Sequence, residues 1–234
     1  MKKRILIAII IVFIVVTGAG FSYYYPMILM HPVVSGKIPG SEITILNAVS
    51  AVYLINTGGG YIMIDAGLSE KKLKEALEEV RVDPNEIKWI FLTHSDGDHV
   101  GGLNLFPNIK VYMSKNEIPL INGTASRTLF GGNKLPYGTD MGRIIPLFDG
   151  QELFLHGVSL KCIEAPGHTP GSMFYLIDGK YLFTGDAVKI VDGKKSVHPY
   201  TMDKEQSVKT IEELESGIYN NALILTSHYG VCNN

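Results

Sequence analysis

Hydrophobic and polar positions fall into two strand-rich blocks, separated and followed by stretches with helical spacing. In the first block, Ile43-Thr44-Ile45-Leu46, Ala51 to Asn56 and Tyr61 to Asp65 are rich in β-branched and aromatic residues. They surround Gly58-Gly59-Gly60, which predicts antiparallel strands joined by a tight turn. Ser69 to Arg81 sets Leu73, Ala76, Leu77 and Val80 on one stripe with Lys and Glu opposite, the pattern of a surface helix laid on a sheet. Pro84 leads into the apolar run Trp89-Ile90-Phe91-Leu92. Val100, Leu103 and Leu105 suggest a helix beginning just beyond it, and Ile109 to Met113 reads as a further strand.

Periodicity then weakens. Residues 114–145 are rich in Gly, Asn, Thr and Pro, and apart from a turn of helix near Ser114 to Leu120 they predict a long loop of the kind that forms lids and substrate loops. Arg127, Lys134, Tyr137 and Arg143 are its candidates for touching a substrate. Strands return at Gln151–Leu155, Val158–Glu164, Ser172–Ile177 and Lys180–Thr184, with a tight Asp178-Gly179 turn between the last two. Ile211, Leu214 and Ile218 mark a helix from about Asp203, and Ala222–Thr226 is a final strand. Strands dominate each half and each half carries helices, so the pattern predicts an α/β protein of two sheets packed face to face with helices outside.

The amino terminus departs from this pattern. Lys2, Lys3 and Arg4 precede twelve uninterrupted apolar residues, Ile5 to Val16, and no charged residue follows until Lys37. With Phe21 and Tyr23 to Tyr25 suited to a membrane interface, residues 1–25 are expected to be an N-terminal membrane segment. Either it is an uncleaved anchor that leaves the body outside the cytoplasm, or a signal peptide cleaved near Gly18-Ala19-Gly20 that leaves it secreted.

Charge narrows the partners. Removing the three N-terminal cations from 21 Lys plus Arg leaves 18 against 23 Asp plus Glu, a mildly acidic body that argues against nucleic acid. Only Cys162 and Cys232 are present, and they either pair or remain free thiols. There is no serine nucleophile elbow, and the triple glycine lacks the lysine of a phosphate loop.

The candidate chemistry lies directly after the Trp89 run, in Thr93-His94-Ser95-Asp96-Gly97-Asp98-His99-Val100-Gly101-Gly102. His94, Asp96, Asp98 and His99 are metal-binding side chains crowded into six positions, and imidazole with carboxylate suits zinc, manganese or iron. Three more such groups sit at strand ends: His168 in Pro166-Gly167-His168-Thr169-Pro170-Gly171, Asp186 after Thr184-Gly185, and His228 in Ser227-His228-Tyr229-Gly230. His31, beside the N-terminal segment, and His156, in a turn, are not expected to be ligands.

These four ordered motifs resemble the metallo-β-lactamase superfamily, the metallo-hydrolase fold. The resemblance implies a four-layer αββα sandwich over residues 40–234 holding two divalent metal ions, with zinc foremost and manganese or iron as alternatives. It assigns one metal to His94, Asp96 and His168, the other to Asp98, His99 and His228, and makes Asp186 the bridge. It further implies a hydroxide nucleophile at the dinuclear site acting on an ester, thioester, lactone or phosphodiester bond, with catalytic Asp98 or a metal-bound water delivering the proton to the leaving group. The His168 motif looks like that of thioesterase and lactonase-type members. Asp96 departs from the family's usual second histidine and adds a negative charge beside one metal, which weakens that metal as a Lewis acid. Asp65, Thr93 and Thr169 are candidates for holding the ligands, although Asp65 also suits a helix cap. Lys189, His198, Tyr200 and Tyr229 are candidates for binding a small-molecule or envelope substrate. A non-catalytic metal-binding envelope protein of the same fold is the alternative.

Overall fold

Seven strands lie side by side in chain order in the first sheet: β1 (Gly36–Lys37), β2 (Ile43–Ala48), β3 (Ser50–Asn56), β4 (Tyr61–Ile64), β5 (Ile87–Phe91), β6 (Val111–Ser114) and β7 (Ile144–Leu147). Pairing is antiparallel from β1 to β4 and parallel from β4 to β7. The second sheet takes β8 (Glu152–Leu155), β9 (Val158–Glu164), β10 (Met173–Ile177) and β11 (Tyr181–Gly185). After a small ribbon, β12 (Lys189–Val191) with β13 (Lys194–Ser196), it is completed by β14 (Leu223–Thr226) and β15 (Val231–Asn233) in the order β15-β14-β11-β10-β9-β8. Four α-helices are present among the described residues: α1 (Glu70–Glu79), α2 (Gly97–Val100), α3 (Ile118–Ile121) and α4 (Lys204–Glu215).

This computed structural model describes residues 17–18, 33–127, 135–216, 219 and 221–233. The chain divides into two units, Met1–His31 and Pro32–Asn234, and the fold is that of the second. The N-terminal membrane segment expected over residues 1–25 lies outside the described residues but for 17–18, as does Lys134. Among the described residues no helix is long and apolar enough to cross a membrane.

Side chains that alternate between sheet faces build the layers. In β3, Val52 and Leu54 face the helix side, where Leu73, Ala76 and Leu77 of α1 complete one core, while Ala51, Tyr53 and Ile55 face the second sheet. In β10, Met173, Tyr175 and Ile177 meet them across the interior, and Phe174 turns outward to Ile211 and Leu214 of α4. Helix, sheet, sheet and helix therefore stack as the sequence pattern predicts. The two longer helices, α1 and α4, start on side-chain caps: Ser69 accepts from the Lys72 amide at 3.2 Å, and Asp203 from the Gln206 amide at 2.9 Å.

Three local expectations are corrected. The helix foreseen from Val100 is instead the single turn α2 followed by a 3-10 turn, Leu103–Leu105. A Cβ on Gly101 would lie 1.9 Å from the Leu68 carbonyl oxygen, so the backbones touch here and no regular helix surface continues. Beyond the turn of helix expected near Ser114 to Leu120, found as a 3-10 turn and α3, the 114–145 stretch carries a 3-10 turn at Met141–Arg143 and the start of β7, which runs parallel to β6. Pro146 is tolerated in β7 because that strand is the sheet edge. Pairing of the two cysteines with each other is the alternative that falls: Cys162 lies in the core between the sheets, whereas Cys232 packs on the outer side of the second sheet.

Candidate metal centre

The donors sit where strands end. β5 delivers Thr93 and His94, the turn into α2 delivers Asp96, Asp98 and His99, and the loops after β9, β11 and β14 deliver His168, Asp186 and His228. Two buried tyrosines cross between the sheets to fix these ends. The Tyr175 hydroxyl of the second sheet donates to the Leu92 carbonyl at 2.6 Å, and the Tyr53 hydroxyl of the first donates to the Thr226 carbonyl at 2.6 Å. Each accepting carbonyl stands two residues before a histidine, so each sheet steadies the other's donor. Burial, with the negative charge of Asp65 adding to it, pushes the Tyr53 phenol far above its ordinary value and keeps it a donor.

The structure brings all seven predicted ligand residues together. Asp186 Oδ2 is the hub, 3.4 Å from His228 Nε2, 3.6 Å from His99 Nε2 and 3.8 Å from His168 Nε2. Asp98 Oδ2 lies 3.1 Å from His228 Nε2 and 3.7 Å from His99 Nε2. On the other side, Asp96 Oδ2 is 3.4 Å from His94 Nε2 and 3.2 Å from His168 Nε2. His94, Asp96 and His168 form one group of donor atoms within 4.8 Å of one another, and Asp98, His99 and His228 another.

These spacings fit a metal. Tetrahedral ligands at about 2.0–2.2 Å from zinc lie about 3.4 Å from one another. The buried atoms His94 Nε2, His99 Nε2 and Asp186 Oδ1 have no hydrogen-bond partner among the described residues, a costly state that a cation relieves. In two of these rings the other nitrogen is held so as to leave Nε2 facing inward. His99 Nδ1 lies 2.8 Å from Asp65 Oδ2, and His94 Nδ1 lies 3.0 Å from the Thr93 hydroxyl. Asp65 therefore serves His99 and accepts from the Thr93 amide at 2.8 Å, while Ser69 caps the helix. Its left-handed backbone, φ 62°, turns the carboxyl inward at the end of β4, a conformation Asp tolerates.

Electrostatics bind the cluster. Burial disfavours charge on His99, but the carboxylates of Asp98, Asp65 and Asp186 outweigh it and hold the ring well above the ordinary histidine value. Burial likewise opposes charge on His228, yet Asp186 and Asp98 push it up to about 9. Burial would raise Asp186, and the charges of His228 and His99 instead hold it well below the usual carboxylate range. His168 and His198 go the other way: burial lowers both, His198 to about 3, so the His198 ring stays neutral. This histidine, assigned to substrate by the sequence, is 2% exposed, with Nε2 only 3.7 Å from Asp186 Oδ2. It forms a fourth donor group with His168 and Asp186.

The other candidate substrate residues gather beside it. The rings of Tyr200 and Tyr229 lie 5.8 and 6.0 Å from that of His198, and Lys189 Nζ stands 5.8 Å above the Tyr229 ring. Of the four candidates in the long loop, Arg127 reaches the centre: Nη2 is 2.7 Å from Asp96 Oδ2. Tyr137 is fully exposed, and Arg143 is buried elsewhere, donating to the Leu103 carbonyl at 3.3 Å.

One residue escaped the sequence pattern altogether. Glu117 is fully buried and its carboxyl oxygens accept four hydrogen bonds: the Ser95 amide at 2.8 Å, the Ser95 hydroxyl at 2.6 Å, the Thr169 hydroxyl at 2.8 Å and the Gly171 amide at 3.0 Å. It thereby ties the His94 loop to the His168 loop. Gly171 is obligatory for this approach, since a Cβ there would stand 2.2 Å from the Glu117 nitrogen.

Comparison with known proteins agrees with this geometry. A family model described as the metallo-beta-lactamase superfamily matches residues 47–218. The chain belongs to the metallo-beta-lactamase superfamily. Among curated members it is 26% identical over 142 residues to an atrochrysone carboxyl ACP thioesterase of Pseudocercospora fijiensis, a match covering 58% of this chain and 36% of that protein. It is 28% identical over 170 residues to PksB of Bacillus subtilis, a probable polyketide biosynthesis zinc-dependent hydrolase, covering 71% of this chain and 66% of PksB. The matched part is thus about a third of the thioesterase's length. In structure, a beta-lactamase from Chitinophaga pinensis superposes with a TM-score of 0.64 at 21% identity, over 85% of this superfamily member and 79% of that chain.

Proposed function

We propose that this superfamily member is a metal-dependent hydrolase acting on an acyl bond, a thioester or lactone before an ester or phosphodiester. One observation carries it: seven donors from the loops of two sheets converge with buried nitrogens left unsatisfied. The thioesterase and zinc-dependent hydrolase among its relatives support zinc and acyl chemistry.

His94, Asp96 and His168 would hold one divalent metal and Asp98, His99 and His228 a second, with Asp186 between them. Bound there, a divalent metal supplies a Lewis acid for the substrate oxygen and an activated water. The protein's own residues do the rest. Asp65 and Thr93 orient His99 and His94, and Glu117 fixes the relative position of the two loops. Asp98 suits the proton transfer to the leaving group, because its side chain is 28% exposed, against 16% for Asp96 and 5% for Asp186. Lys189, Tyr200 and Tyr229 line the approach and would contact the substrate. Lys2-Lys3-Arg4 and the apolar residues after them support placement at a membrane or export, with a small-molecule or envelope substrate.

Metal analysis of the purified chain, followed by a screen of chromogenic thioester, lactone, phosphodiester and β-lactam substrates, tests the reading. Thioester or lactone turnover is expected, lost on chelation and restored by zinc, and Asp186→Ala should lower it by more than about a hundredfold. Bound metal with no turnover of any class would favour a binding protein instead.

A further inference from the structure

The two halves of the centre differ in one respect. In the Asp98, His99 and His228 half, no Arg or Lys among the described residues is paired with the Asp98 carboxylate. In the other half a guanidinium has already entered. Arg127 Nη2 stands 2.7 Å from Asp96 Oδ2 and 3.3 Å from His168 Nε2, two of the three atoms a metal would need there. It is held in place, because Nη1 donates to the His168 carbonyl at 2.9 Å and Nη2 to the Tyr200 carbonyl at 2.8 Å. Its side chain is 11% exposed.

We propose that Arg127 is a resident cation competing with metal for the His94, Asp96 and His168 donors, so that this half is the weaker of two unequal metal sites. The inference rests on the metal-binding reading above and adds an order of loading to it. The reason lies in position 96. A neutral imidazole there would offer a guanidinium only an uncharged acceptor, whereas a carboxylate offers a charge-assisted partner. A metal entering this half must displace Nη2 from Asp96 or share the carboxylate with it, two cations in one small space. Among the described residues no Arg or Lys side chain is paired with Asp98 or Asp186 in the same way.

Zinc titration of the chelator-stripped full chain, in competition with a chromophoric chelator, tests this without reference to activity. The native chain should take up one tight equivalent and a second that is about tenfold weaker or more. His228→Ala should remove the tight equivalent and His94→Ala the weak one. Arg127→Ala should tighten the second by about tenfold and leave the first within about twofold. Should that variant fail to fold, Arg127→Gln keeps much of the volume and a donor for the carbonyls without the charge, and the same tightening is expected. Two equal affinities in the native chain, unchanged affinities in both variants, or loss of the tight equivalent in His94→Ala would each overturn the proposal. No metal uptake by any form would overturn it together with the metal-binding reading. Unequal affinities that respond to Arg127 alongside an inactive substrate screen would leave the proposal standing and sink only the hydrolase assignment.

Discussion

Glu117 shows what a single buried side chain can govern. Its oxygens accept from two loops that are 22 and 52 residues away in the chain, the separations to Ser95 and Thr169. Glu117→Ala would leave the Ser95 and Gly171 amides buried without a partner, and each such group costs about 1–3 kcal/mol. A loss of about 3 kcal/mol is expected in urea unfolding, together with weaker zinc binding in the same variant. Glu117→Gln, which keeps the shape but turns a donor toward donors, should fall between. If both variants unfold at the native midpoint, Glu117 does not tie the loops. The metal-type residues were legible in the sequence because His and Asp at strand ends form short recognisable strings. Glu117 and Arg127 were not equally legible, since each works through partners far along the chain and stands in the stretch where periodicity fails. Spacing named Arg127 among four substrate candidates but could not show that Asp96 would hold it. His198 was named with Tyr200, whose ring does lie near it, but its approach to Asp186 was not legible, because a lone histidine between a strand and a helix reads as surface until its burial is known.

At the scale of strands and helices, alternation in β3 and β10 was enough to predict two sheets, because each face of those strands is committed to a different core. β7 was missed because Pro146 and two preceding isoleucines resemble loop edge more than strand, and only pairing with β6 defines it. What pattern cannot show is how the sheets hold each other in register. Tyr175 and Tyr53 do this with reciprocal hydrogen bonds to Leu92 and Thr226. Tyr175→Phe keeps the ring's edge contact with Phe91, at 5.4 Å between centroids, and deletes only the hydroxyl. A stability loss of about 1–3 kcal/mol is expected, from a buried carbonyl left without its donor. Zinc affinity should drop as well, because the strand end that carries His94 is no longer pinned. Unchanged affinity beside reduced stability would confine the tyrosine to packing.

Across the whole molecule, the donors of the Asp98, His99, His228 and Asp186 cradle come from both sheets, and no stretch shorter than that from Asp98 to His228 contains them all. No early fragment of the folding chain can assemble the cradle, so the ion enters only after both sheets have formed and met. Metal should then stabilise the native state by mass action, about 2.7 kcal/mol at a hundredfold excess over the dissociation constant. Stopped-flow measurements should show this gain almost entirely as slower unfolding, with the refolding rate the same in zinc and in chelator. Faster refolding in zinc would mean that a nucleus already contains the cradle. The cross-sheet origin of the donors thus makes the cation a latch rather than a seed: it determines how long the finished protein survives heat or protease, and has no say in whether the fold is found.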